Sequence, residues 1–265
     1  MRWERIARKD VRDAMRDRSL YGLMGVLALL GGLLGYLAEG VPGAVLPLFM
    51  VLPMALLVPI VCVGLTYESV VGPRTDGSLQ FLMALPYGRH HVVFGTYVGR
   101  IAVFATALAA GFLVLALAGL LVGTVAAPLT TLLAYGVTLL FGVAVLGAGL
   151  GISTAARTTR RAGGAAFLLV VLFLFAWQIL PGTIAYALNG FAPPESAPAW
   201  APAFRSLNPV AALQMLVAPL AEGNLGAGGF GGETVDSAAV AVAVLVGWAT
   251  LVPLLGFLRF RGDDL

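Results

Sequence analysis

Lysine is almost absent from this sequence: Lys9 stands alone against fifteen arginines among 265 residues. No G-x-x-x-x-G-K-[ST] loop occurs and Lys9 lies outside any glycine-rich stretch, so the chain offers no P-loop for a nucleotide. Cysteine occurs once, as Cys62, which excludes an intrachain disulfide and speaks against a thiolate metal centre. The two histidines are the neighbours His90 and His91. Adjacent helical positions face different ways, so the pair reads as polar loop residues, not as metal ligands. Charged residues make up 11% of the chain, against roughly 25% in soluble domains. No aspartate sits in the middle of an apolar stretch and Ser153 has no base near it, which leaves no constellation for hydrolysis within a bilayer. The expectation is a chain that is not an enzyme and holds no cofactor or metal of its own.

What is abundant is apolar surface: 60% hydrophobic residues and a mean hydropathy of +0.95. Stretches of the length that crosses a hydrocarbon core of ~30 Å fall at about 19–38, 45–67, 97–122, 129–152, 163–181 and 237–258. These predict an all-α polytopic membrane protein with six transmembrane helices. Residues 1–18 are expected to form a cytoplasmic amphipathic interfacial helix and 19–265 a six-span transmembrane domain, with a long inner loop at about 68–96 and an outer loop at about 182–236. The first eighteen residues lack the apolar core of a signal peptide.

Basic residues are retained on the cytoplasmic side, so their placement sets orientation. Seven precede span one (Arg2, Arg5, Arg8, Lys9, Arg12, Arg16, Arg18). Arg74, Arg89 and Arg100 lie between spans two and three, Arg157, Arg160 and Arg161 between four and five, and Arg259 and Arg261 after six. Arg205 alone falls on the other side, where Glu39, Glu195, Glu222, Glu233 and Asp236 collect. Both termini are therefore expected in the cytoplasm of a multi-pass protein of the plasma membrane. The arginine excess suggests a GC-rich prokaryotic genome. The net charge of +3 and a pI near 9.3 are explained by this topology, so no nucleic-acid partner is expected.

Trp3, Ile6, Ala7, Val11, Ala14 and Met15 recur at helical spacing with arginines and aspartates on the remaining face, the pattern of an interfacial helix whose arginines reach lipid phosphates. In the inner loop, Leu79, Leu82, Met83 and Leu85 form an apolar stripe that ends at Pro86. Such a stripe either docks a partner or packs on the chain's own membrane domain, and periodicity does not decide between the two. Before the last span, Phe204–Leu220 is apolar but too short to cross, with Asn208 placed to cap a helix that starts at Pro209. It suits a re-entrant or interfacial helix. The run Gly223–Gly232 lacks lysine and reads as a flexible linker.

Three of these stretches resemble the ABC-2 type permeases, membrane subunits of ATP-binding-cassette exporters. They are Ile6-Ala7-Arg8-Lys9-Asp10 with Asp13-Ala14-Met15-Arg16-Asp17-Arg18; Arg74 followed by Gly77-Ser78-Leu79, Leu82, Leu85-Pro86, Arg89, Gly95 and Gly99-Arg100; and Leu207-Asn208-Pro209. The sequence departs from the family pattern where Pro73 replaces a glutamate, Asp10 another glutamate, and Thr96 a lysine. The resemblance implies a permease that forms an export pathway and a homodimer, coupled to a separate cytoplasmic ATPase that holds ATP and magnesium. It implies ATPase coupling through Arg74, Gly77, Ser78, Leu79, Leu82, Leu85, Pro86 and Arg89, an interfacial helix anchored by Trp3, Ile6 and Val11, and an outer re-entrant segment at Asn208 and Pro209. Arg157, Arg160 and Arg161 are expected near the ATPase contact, and span one or span five is the candidate dimer face.

The competing reading is an ATP-independent channel or secondary carrier. Such proteins place ionisable groups at mid-membrane, whereas Glu39 and Glu68 here lie at span ends. Pro53 and Pro59 within span two favour a bent helix that leads into the inner loop. Gly31/Gly35 and Gly147/Gly151 recur at four-residue spacing, which permits close helix approach.

Overall fold

The computed structural model describes residues 2–79, 88–193, 196, 198–221 and 237–262. Among these every regular element is helical: α1 Arg2–Arg16, α2 Ser19–Tyr36, α3 Leu46–Thr66, α4 Val71–Thr75, α5 Arg89–Leu121, α6 Pro128–Ala155, α7 Thr159–Val171, α8 Trp177–Leu188, α9 Ala201–Ser206, α10 Pro209–Ala221 and α11 Ala238–Arg261. A π-helical turn, Leu172–Ala176, joins α7 to α8. Among the described residues six helical runs are long and apolar enough to cross a membrane: α2, α3 with α4 (Leu46–Thr75), α5, α6, α7 through α8 (Thr159–Leu188) and α11. They coincide with the six expected spans.

Two boundaries differ from the hydropathy reading. α5 begins at Arg89, two turns before the apolar stretch, because Gly88 caps it in an extended conformation and His91 Nδ1 accepts the Gly88 N–H at 3.2 Å. Its 33 residues reach about 50 Å, well beyond the ~30 Å of hydrocarbon, so polar turns are tolerated at its start. The short apolar run before the last span is two helices, α9 and α10, divided at Leu207–Asn208. α10 starts at Pro209 with Asn208 Oδ1 accepting the Val210 N–H at 2.8 Å, as the sequence predicts.

α5 is the central mast. α1 and then α2 run along it in the same direction: Trp3 packs edge-on against Phe94 at 5.1 Å, Asp10 meets Arg100, and Leu27 lies against Gly111. Glycines make this approach possible. A Cβ on Gly95 would sit 2.7 Å from Ile6 Cβ, and one on Gly99 2.8 Å from Asp10 Cβ. Gly31 and Gly35 of α2 face backbone carbonyls of α5, and Gly147 and Gly151 of α6 face α11, so both predicted glycine pairs serve contacts within this chain. The main core gathers buried residues of α2, α3, α5, α6, α10 and α11, with Phe104, Phe141 and Phe173 among its largest side chains.

Tyr97 locks three spans together. Its hydroxyl lies 2.8 Å from Val143 O on α6 and 2.9 Å from Ala249 O on α11, and donates to one of them at a time.

Candidate functional site

The sequence-predicted residues fall into two neighbourhoods, one on the face that carries α1 and the start of α5, the other on the opposite half of the bundle. On the first face, α4 continues span two as a five-residue helix whose N-terminus is capped from another span. Ser153 Oγ, on α6, accepts the N–H groups of Val70 and Val71 at 3.0 and 3.2 Å. Ser153 is 1% exposed. A hydroxyl with no base near it in the sequence thus fixes the connection between spans two and three onto span four. Pro73 falls within the first turn of α4, where a missing N–H costs nothing.

Beyond α4, Asp76 Oδ1 accepts the Ser78 N–H at 2.8 Å and Gly77 takes φ +80°, a left-handed conformation that glycine adopts without strain. This turn exposes Ser78 and drives Leu79 into a second core with Val70, Val92, Val93, Leu150 and Phe260. Leu79 is 1% exposed. The apolar stripe thus begins on the chain's own membrane domain; Leu82, Met83, Leu85 and Pro86 lie outside the described residues.

Phe260, near the end of the last span, is the hub of this face. The guanidinium carbons of Arg74 and Arg89 lie 5.6 and 5.2 Å from its ring centroid, within cation–π range. Arg89 also donates to the carbonyls of Phe260 and Arg261, and Arg74 to that of Ala156 at 3.3 Å. Helix C-terminal carbonyls are natural partners for guanidinium groups. Arg74 and Arg89 thus join the ends of spans two, four and six and the start of span three. Arg160 and Arg161 open α7 on the same face, where Thr158 Oγ1 caps by accepting the Arg161 N–H.

Between α1, the end of α3, α4 and α5 lies a cavity of about 420 Å³ with Asp10, Asp13, Asp17 and Glu68 facing Lys9 and Arg100. Asp10 Oδ2 is 3.1 Å from Arg100 Nε. The angle misses hydrogen-bond geometry, and neither atom has a hydrogen-bond partner. Burial pushes the Asp10 carboxyl up to about 6; Arg100 and Lys9 oppose that rise and Asp13 and Asp17 add to it. A carboxyl raised in the docked state binds its proton more tightly there. Docking of α1 is thus fully favoured below the ordinary value of 3.8 and weakens as pH rises through about 6. Amide exchange of residues 2–16, corrected for intrinsic rates, is expected to quicken relative to α5 between pH 5 and pH 7, and Asp10→Asn to flatten that profile; an unchanged profile in the variant would remove Asp10 as its source.

On the opposite half, the α9–α10 turn is clamped by three side chains. Trp177 Nε1 donates to Phe204 O at 2.8 Å, Trp248 Nε1 to Leu207 O at 2.9 Å, and Asn208 Nδ2 to Phe173 O at 2.9 Å. Phe173 lies in the π turn, whose widened register frees a carbonyl for an outside donor. The Trp177 and Phe204 rings stack at 5.0 Å, and Trp248 meets Phe173 edge-on at 4.9 Å. Asn208 is signalled locally by the Asn-Pro pair; its bond to span five is not. Glu195, Glu222, Glu233, Asp236 and the Gly223–Gly232 run lie outside the described residues, apart from which no cluster of three or more metal-ligating side chains occurs.

The family described as ABC-2 family transporter protein matches residues 5–265. Over 116 residues the chain is 32% identical to the probable ABC transporter permease protein NosY of Stutzerimonas stutzeri and 31% identical to its namesake in Pseudomonas aeruginosa. Each match covers 40% of this chain, and 41% and 42% of the respective relatives.

Proposed function

The chain belongs to the ABC-2 family of transporter proteins, and on that premise we propose that it is the membrane permease subunit of an ABC exporter, driven by a separate cytoplasmic ATPase. The observation that carries the reading is the family match over nearly the whole chain, supported by the cluster that ties the 67–79 connection to four spans. The partner ATPase supplies ATP and magnesium. Its nucleotide-driven closure presses on the segment from Thr75 to Leu85. Leu79 wedges that segment into the bundle, while Arg74 and Arg89 hold Phe260 and the last span, so movement at the segment passes to spans two, three, four and six together. The exposed Ser78 and the α7 arginines Arg160 and Arg161 belong to the ATPase-facing surface.

The spans carry no midplane relay among the described residues, which favours this reading over a proton-coupled carrier. An apolar interior suits a lipid-like or amphipathic cargo. A homodimer would use span five: 17% of its apolar window is buried, against 22% for spans one and six and 39–44% for spans two to four, and Phe167, Phe175 and Ile179 lie exposed along it. Asn208 and Pro209 would then form the tip of an outer re-entrant hairpin beside the pathway.

The test is co-expression with a candidate ATPase, purification in mild detergent and an ATP hydrolysis assay. A stable complex whose hydrolysis differs from that of the isolated ATPase supports the reading; no nucleotide-binding subunit retained under several conditions would return the channel or carrier alternative. Orientation is tested separately. Cys62 is fully buried, so cysteines placed at the exposed Ser78 and Ser196 are the reactive ones. Ser78→Cys should label only after the membrane is permeabilised and Ser196→Cys in intact cells; the reverse pattern would invert the topology.

A further inference from the structure

A groove of about 390 Å³ runs between α1 and the first half of α5, lined by Arg8, Val11, Arg12 and Met15 on one wall and Val98 and Ala102 on the other. It is separate from the acidic cavity, which opens on the other flank of α1. Arg8, Arg12 and Met15 are exposed, and no carboxylate among the described residues pairs with either arginine. The two guanidinium groups stand one helical turn apart on the same side of α1, about 6 Å between their stems.

The order of chemistry along the groove is what selects an occupant. α1 and α2 run beside α5 in one direction, so Met15 and Ala102 lie nearest the start of span one at Ser19, where hydrocarbon begins. Arg12 follows within the next turn, beside Val11 and Val98, and Arg8 lies farthest out, about two turns from Met15. The groove is thus apolar at the bilayer end, at Met15 and Ala102, and its two arginines, whose long side chains lean toward the helix N-terminus, flank Val11 within about two turns of that end, at the depth of lipid headgroups. A free phosphate would leave the apolar half uncovered, and a neutral lipid would leave the arginines unmatched.

We propose that this groove seats one anionic phospholipid, its phosphate between Arg8 and Arg12 and an acyl chain over Val11, Met15, Val98 and Ala102. The bound lipid staples α1 to α5 and makes the position of the N-terminal helix depend on the lipid around it. The site asks only that α1 lie at a membrane surface, so it stands independently of the ATPase reading.

Delipidated protein in a nonionic detergent is titrated with dioleoylphosphatidylglycerol or dioleoylphosphatidylcholine, with binding followed by native mass spectrometry and by thermal shift. One phosphatidylglycerol is expected to be retained in preference to phosphatidylcholine, and inorganic phosphate alone to give no shift. Arg8→Gln or Arg12→Gln should weaken retention about fivefold each and roughly 25-fold together. Arg160→Gln with Arg161→Gln removes the same charge elsewhere and should leave it unchanged. Ala102→Trp fills the apolar end without touching charge and should also displace the lipid; if it fails to fold, the arginine comparison stands alone. Equal retention of both lipids, or equal losses from the two arginine pairs, would reduce the site to diffuse surface charge and overturn the proposal. Unchanged lipid retention in the Arg8/Arg12 variant with loss of a co-purifying ATPase would overturn it too, by assigning the groove to protein.

Discussion

Leu79→Asp should uncouple ATP hydrolysis from transport while leaving the six spans inserted. Burying a leucine side chain contributes about 1.5–3 kcal/mol, and forcing a carboxylate into the same apolar site costs several more. Leu79 sits at 1% exposure against Val70, Val93 and Phe260, so the variant side chain leaves its site and takes Gly77 and Ser78 with it. α4 stays in place because Ser153 still accepts its first N–H groups. The damage is therefore confined to the segment proposed to receive the push of the ATPase. A loss of ~3 kcal/mol moves the ratio of attached to detached connection by about 100-fold. Transport in proteoliposomes should fall to near background, whereas Leu79→Met, which conserves volume, should cost under ~1.5 kcal/mol and remain active. Undiminished transport by the aspartate variant would show that force does not pass through this segment.

The six spans were legible because bilayer length is written directly into composition: twenty consecutive apolar residues have few other uses. Their ends were less so. Hydropathy is blind to the two turns of α5 that precede its apolar stretch, since Arg89, His90 and His91 form helix only because Gly88 and His91 cap it and α1 covers its flank. Gly95 and Gly99 stood out as motif positions, yet their purpose shows only once Ile6 and Asp10 occupy the space a side chain would need.

The functional residues divide along the same line. Asn208 announced itself through a local signal, a capping residue before proline. Ser153 and Tyr97 did not, because their partners lie on other spans, 83 residues away for Val70 and 152 for Ala249. Phe260 lies just beyond the apolar stretch 237–258 and carries no local signal; it becomes a hub only when Arg74 and Arg89 arrive from a distant part of the chain. Leu79 was recognised as part of an apolar stripe, but whether such a stripe meets a partner or its own domain depends on what lies opposite, which periodicity does not encode.

Asn208→Ala should loosen the opposite half of the bundle by ~2–4 kcal/mol, because it removes two separate interactions at once. The cap on α10 is lost, worth roughly 1 kcal/mol, and Phe173 O in the π turn is left buried without its donor, a cost of about 1–3 kcal/mol. Asn208 is itself 1% exposed, so water does not readily substitute. Asn208→Ser separates the two roles: its hydroxyl can cap α10 but is too short to satisfy the carbonyl on span five, and its destabilisation should lie between wild type and alanine. Trp177 and Trp248 donate to the carbonyls of Phe204 and Leu207 in the same turn, so their fluorescence reports the change locally as a red shift and greater quenching by a soluble quencher. Thermal unfolding in detergent should fall by roughly 5–10 °C for alanine. Wild-type fluorescence and melting in both variants would mean that the tryptophans alone hold the turn. A full effect in serine would place the whole contribution on the bond to Phe173, and with it make the π turn of span five the element that fixes how deeply the α9–α10 hairpin sits.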